Sequence, residues 1–264
     1  MDRIMRLLFI GDVVGPAGRT AIQTFVPELR RNLALDAVIA NGENSADNGF
    51  GATAETAELL LSVVDFVTLG DHAFDQESIN PVLEREPRLI RPINFEKPMP
   101  GRGWNTLMVA GVRVGILNLL GRLFMRPPVL SPFAAADQGV RELQEAGAEI
   151  ILVDMQAEAT SEKQGIGWQL DGQVAAVFGT HTHVPTADLR ILPGGTAYVS
   201  DVGMTGGRDG IIGFEREAFL RFMTTGKFQG TRPTDGPLGL DAILLQVDAA
   251  TGRAIAAERI FRGK

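Results

Sequence analysis

The sequence predicts an α/β protein in which helices cover a mixed β-sheet, or two sheets. Three features carry that expectation. Short runs rich in Val, Ile and Leu recur along the chain, helix-like stretches separate several of them, and the last two runs form a hairpin. Runs of about four to eight residues that are apolar almost throughout suit strands buried on both faces.

Leu7–Ile10 is the first such run. Thr20–Leu33 comes next, with Ile22, Phe25, Val26, Leu29 and Leu33 at helical spacing, and Ala37–Ala40 completes a strand–helix–strand unit. Ala54–Val64 and Phe66–Leu69 repeat the crossover. Arg91–Trp104 (RPINFEKPMPGRGW), dense in Pro and Gly, is a long surface loop. Strands resume at Val112–Leu119, Ile150–Val153, Val174–Phe178 and Ala197–Val199, with a helix over Ala134–Ala146. Thr160-Ser161-Glu162-Lys163 is expected to cap a short helix through Gln169, because a hydroxyl can accept its free amide donors. Arg216–Met223 is the last helix, and Leu240–Asp248 pairs with Ala254–Ile260 across Ala249–Arg253. Polar motifs flank the long loop on both sides, so residues 1–264 are expected to form one domain.

Composition removes several function classes. The 264 residues contain no cysteine, which excludes disulfides, thiolate metal sites, iron–sulfur clusters and a cysteine nucleophile. The formal charge of −7 leaves no broad basic footprint for duplex nucleic acid. The first apolar run is too short for a signal-peptide core, and no stretch is long enough to cross a bilayer. The expectation is a cytoplasmic protein without a membrane partner.

The informative pattern lies at the ends of the strands. They lead into Gly11-Asp12, Asn41-Gly42-Glu43-Asn44, Gly70-Asp71-His72, Asp154-Met155-Gln156, Gly179-Thr180-His181-Thr182-His183 and Ser200-Asp201. Open α/β sheets bind ligands at the carboxyl ends of their strands. All three histidines of the chain lie in this set. In His181-Thr182-His183 an extended backbone would turn both imidazoles to one side, where with carboxylates they suit divalent Mn, Fe, Co or Zn. Each segment has a plainer reading alone: a turn, a capped helix or a pair of hydrogen-bonded loop histidines. The joint pattern favours a metal site.

Elsewhere the signals are thinner. Gly15-Pro16-Ala17-Gly18 lacks the Gly-Lys-Ser/Thr ending of a P-loop, and no Gly-x-Ser-x-Gly motif supports a serine nucleophile. Arg102 and Trp104 in the long loop could grip a phosphate or stack a base, or simply pack locally.

At these residues the sequence resembles the YmdB-like family of metallophosphoesterases, relatives of the calcineurin-type phosphatases. The matching pieces are IGDVVG (10–15), NGEN (41–44), LGDHAFD (69–75), RPINF (91–95), AEATSEK (157–163), GTHTHVPTAD (179–188) and LPGGTAYVSDVGMTG (192–206). The resemblance implies a four-layer α/β/β/α sandwich, with two mixed sheets face to face and helices outside. It implies a dinuclear site of two divalent ions, Mn or Fe first and Mg or Zn as alternatives, that hydrolyses phosphoesters, cyclic nucleotides among them. Carried over by motif, one ion is held by Asp12, Glu43, Asn44 and His183. The other is held by bridging Glu43 with Asp71, Gln156 and His181, and His72 is the catalytic histidine. A water acidified by the ions attacks in line, and self-association into a homo-oligomer is allowed.

Two positions depart from the family's pattern. Its Gly-Asn-His is here Gly-Asp71-His72, and its His-Ala-Glu-Ala-Thr begins here with Gln156. Three ionised carboxylates against two dications leave one positive charge, where Asn at position 71 would leave two. Asp71 should hold its cation more tightly and reduce its Lewis acidity. Gln156 offers a neutral amide oxygen, which suits Mn or Mg, or else only hydrogen-bonds its surroundings. The second site is therefore expected to be hard, weak or empty. The rival reading is a degenerate member that binds a nucleotide or protein as a regulator.

Overall fold

The apolar runs become strands in the computed structural model, which describes residues 3–227 and 230–264. β1 (Ile4–Ile10), β2 (Asp12–Val13), α1 (Gly15–Leu33), β3 (Ala37–Asn41), α2 (Ala54–Leu61), β4 (Phe66–Thr68), α3 (Asn80–Arg85) and β5 (Leu89–Ile90) come first. β6 (Trp104–Val109), β7 (Val112–Leu120), α4 (Pro132–Glu145), β8 (Ile150–Gln156), α5 (Thr160–Gln169), β9 (Ala176–Thr180), β10 (Arg190–Ile191) and β11 (Ala197–Val199) are next. β12 (Met204–Gly207), α6 (Arg216–Thr225), β13 (Leu238–Asp248) and β14 (Arg253–Gly263) complete the chain.

Two mixed sheets result. In the first, β1, β3, β4 and β5 are parallel. β13 runs antiparallel to β1 and β12 along one edge and to β14 along the other, which is the expected hairpin. In the second, β7, β8, β9 and β11 are parallel and flanked by antiparallel β6 and β10. Side chains alternate faces along a strand, and here both faces are buried. From β1, Leu8 and Ile10 join Ile22, Val26 and Leu29 of α1, while Leu7 and Phe9 meet Ile116, Leu152 and Phe178 between the sheets. From β7, Leu117 and Leu119 pack on Val140 and Leu143 of α4. Three apolar interfaces therefore separate four layers, helix–sheet–sheet–helix, as the resemblance implied. Phe9 and Phe178 stack across the middle interface with centroids 4.5 Å apart.

Two sequence expectations need correction. α5 is not capped by a hydroxyl: Ala159 is its N-cap and no side chain caps it. Thr160 is already the first helical residue, one position too late for its Oγ to lie beneath the free amides. β8 does not end at Val153 but continues to Gln156, because Leu120 and Thr180 pair with it on either side. No helix among the described residues is long and apolar enough to cross a membrane.

Candidate metal centre

The carboxyl ends of the two sheets are joined by a buried polar network. Asp154 and Gln156, two apart on β8, share a face. Asp154 accepts hydrogen bonds from Thr180 (2.6 Å), Thr68 (2.5 Å) and Asn41 (3.0 Å), so strands of both sheets meet on one carboxylate. Asn41 Oδ1 in turn accepts the Glu43 N–H at 3.1 Å, which turns the chain and presents Glu43 above the network. Gly70 permits this closeness: a methyl there would fall 2.1 Å from Glu43 Oε2 and 2.4 Å from the Gln156 amide.

Asp12 and His183 lie side by side, and Asn44 lines the same cavity as His183. Two fully buried oxygens, Asp12 Oδ1 and Asn44 Oδ1, have no hydrogen-bond partner among the described residues. Asn44 is oriented by donating Nδ2–H to the Gly49 carbonyl at 2.9 Å, which leaves its oxygen free. His183 donates Nδ1–H to the Ile212 carbonyl at 2.8 Å, so Nε2, 3.8 Å from Asp12 Oδ1, keeps its lone pair. Burial lowers the His183 pKa and keeps the ring neutral, as a ligand must be. An orphaned buried acceptor costs about 1–3 kcal/mol, and a cation between these atoms would remove that cost. The residues fit a divalent ion.

Glu43, Asp71 and His181 form the second cluster, with one donor atom from each within 4.8 Å of the others. Burial would raise Asp71, but the His181 hydrogen bond, the charges of His72 and His181, and the Gln156 amide bring it down to about 2. Gln156 does not turn its oxygen toward this group. Oε1 accepts the Asn41 amide N–H at 3.1 Å and lies 2.7 Å from the Thr180 hydroxyl, whose one proton goes to Asp154. Nε2 donates to Glu43 and lies 3.3 Å from both Asp71 Oδ1 and His181 Nδ1. Gln156 is thus hydrogen-bonded to side chains of the neighbouring strands.

His72 stands beside both clusters. Its N–H donates to Glu43 Oε2 at 3.3 Å, Nδ1 lies 2.7 Å from Asp75 Oδ2, and Nε2 is 3.6 Å from Asp71 Oδ2. His181-Thr182-His183 is not extended, contrary to expectation. The strand stops at Thr180, and both histidines adopt left-handed backbone, φ 95° and 64°. They nonetheless reach one cavity, because Asp201 pins the residue between them, accepting from Thr182 N–H (3.0 Å) and Oγ–H (2.6 Å). Lys163, wholly buried like Asp201, neutralises that carboxylate at 3.2 Å.

The cavity, of about 900 Å³, is lined by Glu43, Asn44, His72, His181 and His183 at its base and by Phe50, Phe214, Phe219 and Phe222 on a wall. Sequence reasoning missed Asp75, the Lys163–Asp201 pair and this wall. The spacing Asp75-to-His72 was a usable signal; the aromatic wall, scattered over the chain, left none. Trp104 and Arg102 lie in a separate cleft with Arg91 and Arg113, where the Trp104 indole donates to Glu142. Trp104 therefore packs locally and does not reach the cluster.

Stability should depend on pH through these carboxylates. Burial, then the charges of Asp201 and Asp154, raises Asp12; burial, then Asp71 and Asp12, raises Glu43. Burial pushes Asp154 up to about 6. Unfolded, such groups ionise near pH 4, so between about 4 and 6 the folded chain binds the extra protons and stability falls as pH rises. Asp71 acts in the opposite sense, but only below about pH 4. Added Mn should therefore raise the melting temperature of the metal-free chain more at pH 7 than at pH 5. Equal shifts in the two melts would contradict this.

The profile of a family described as YmdB-like protein matches residues 8–260. The 2′,3′-cyclic-nucleotide 2′-phosphodiesterase of Bacillus subtilis (strain 168) is 42% identical over 258 residues, 97% of each chain. A crystal structure of a hypothetical protein from Thermus thermophilus superposes with a TM-score of 0.91 at 42% identity, covering 98% of this chain and 100% of that one. A novel phosphatase from Mycoplasma pneumoniae gives a TM-score of 0.92 at 31% identity, covering 100% and 95%.

Proposed function

The chain belongs to the YmdB-like protein family, and from that membership we propose that it is a metal-dependent phosphodiesterase that hydrolyses small cyclic nucleotides. The observation that carries the reading is that two buried oxygens, Asp12 Oδ1 beside His183 and Asn44 Oδ1, have no hydrogen-bond partner among the described residues, with Asn44 and His183 lining a cavity large enough for a nucleotide. Asp12, Glu43, Asn44 and His183 would hold one ion, and Glu43, Asp71 and His181, with Gln156, a second. When bound, divalent ions neutralise an anionic phosphoester and make water nucleophilic at neutral pH.

The chain's own residues do the rest. Glu43 spans the two clusters, fixed by the His72 N–H and the Gln156 amide. Asp75 takes the Nδ1–H of His72, which orients Nε2 to give its proton to the leaving ester oxygen. Gln156 already satisfies the carboxylates of the second cluster with N–H donors. An ion there must turn that amide so that Oε1 replaces Nε2, which costs Oε1 its bond from Asn41, so the ion should be weakly held and of the harder kind, Mn or Mg. The first ion would be Mn or Fe, with Mg or Zn as alternatives. The acidic composition argues against duplex nucleic acid as a partner, and the reading places the enzyme in the cytoplasm without a membrane partner. Self-association is compatible with it.

The inward-facing Gln156 amide also favours a second reading, a regulator that binds a nucleotide or a protein without hydrolysis. One experiment separates the two. Strip the chain with a chelator, add Mn, Mg, Fe or Zn singly, and assay a bis-aryl phosphate and cyclic nucleotides beside Gln156→His, with elemental analysis of each protein. The enzyme reading expects activity restored by Mn or Fe, and one more tightly held ion in Gln156→His than in the parent. A parent inactive with every metal, beside an active Gln156→His, would establish the regulator. Two tight Fe or Zn ions in the parent would overturn the weak second site.

A further inference from the structure

The cavity is much larger than a phosphate needs, and its surplus is aromatic. Four of the chain's fourteen phenylalanines line it, so the ring density at this one place calls for a cause. The rings form a row that starts at His72. Phe50 meets the imidazole edge-on at 5.1 Å, Phe214 stacks on Phe50 at 5.3 Å, Phe219 on Phe214 at 6.3 Å, and Phe222 closes the row edge-on at 6.3 Å. The inner end is rigid: Phe214 is 3% exposed and presses on Gly49, where a methyl would fall 2.6 Å from the ring. The outer end reaches the surface, with Phe222 38% exposed on α6, a helix with no buried residue.

A polar atom on the same wall also lacks a partner. Thr231 Oγ1 is buried, lines the cavity and has no hydrogen-bond partner among the described residues. Apolar rings ending in one orphaned hydroxyl suit a ligand that is flat, aromatic and edged with hydrogen-bonding atoms.

We propose that this ring row with Thr231 is a nucleobase subsite, in which the base of the substrate stacks on one of the two nearly perpendicular rings Phe219 and Phe222 and meets the other edge-on, with its phosphate over the acidic and imidazole cluster. The inference rests on the phosphodiesterase reading and adds the base as the group recognised. Stacking needs only a π-face and strengthens with its area, so the subsite accepts every base and prefers purines.

The test compares 2′,3′-cyclic AMP with 2′,3′-cyclic ribose phosphate, which lacks the base, on the parent and on Phe219→Leu, Phe222→Leu and Thr231→Val. Leucine keeps apolar packing and removes the π-face. The expected result is a KM for cyclic AMP raised about tenfold to a hundredfold in the leucine variants, with kcat and all constants for the base-free compound unchanged. Phe219→Trp should restore the parent KM. Equal kcat/KM for the two compounds in the parent, or equal losses on both in the variants, overturns the proposal. A parent that hydrolyses neither compound refutes the phosphodiesterase reading instead. Calorimetric binding of adenosine, which has no phosphate, then still decides: parent binding weakened in the leucine variants supports the subsite, and no binding ends it.

Discussion

Replacing His72 by alanine is expected to lower kcat for a cyclic nucleotide by about 10²–10⁴-fold, the usual worth of a positioned general acid. His72 is fixed from three directions: its N–H on Glu43, its Nδ1 on Asp75 at 2.7 Å, and its ring edge against Phe50. Only Nε2 remains to meet a leaving oxygen. The size of the loss should depend on that oxygen. A ribose hydroxylate is a poor leaving group and needs the proton, whereas an aryl oxide is stable as an anion. His72→Ala should therefore be far less damaged on a bis-aryl phosphate than on the cyclic nucleotide. Asp75→Asn should show the same pattern with a smaller loss. Equal losses on both substrates, or loss of bound metal in His72→Ala, would mean that His72 does not act as an acid.

The fold was legible because each sheet is buried on both faces. Leu7, Leu8, Phe9 and Ile10 serve two interfaces in alternation, so the strand must be apolar at every position, and that continuity is visible in a single sequence. The strand-end residues were legible for a related reason: Asp12, Glu43, Asp71, His181 and His183 interrupt apolar runs where parallel strands stop. What the sequence could not display was distance between remote segments. Asn41, Thr68, Asp154 and Thr180 meet only because the sheets face each other, so Asp154 was legible as one more strand-end polar residue and not as the hub of a network. Phe50 and Phe214 are brought together by loops whose course no periodicity encodes. Gln156 shows the limit most clearly: the sequence told that an amide replaces an imidazole, and only the strand pairing told which way the amide faces.

Lys163→Met should be the most destabilising single change near the site. Lys163 Nζ and Asp201 Oδ2 are 3.2 Å apart and both side chains are wholly buried. Removing one partner of such a pair strands the other charge without water, at a cost of about 3–5 kcal/mol. Chemical denaturation would read that loss. Lys163→Met with Asp201→Asn removes both charges and keeps an acceptor for Thr182, so the double variant should recover most of it, a coupling that a mutant cycle measures. The pair has a second duty. His181 and His183 hold left-handed backbone, which costs a residue with a side chain about 1–3 kcal/mol each, and the bonds from Thr182 to Asp201 are what hold them there. Weakening Asp201 as an acceptor should let the turn relax and pull both imidazoles off the cluster. The double variant is thus expected to be folded and yet to bind Co²⁺ at least tenfold more weakly, as read from the visible absorption of the bound ion. Parent-like Co²⁺ affinity in a stable double variant would reduce the ion pair to a feature of the core.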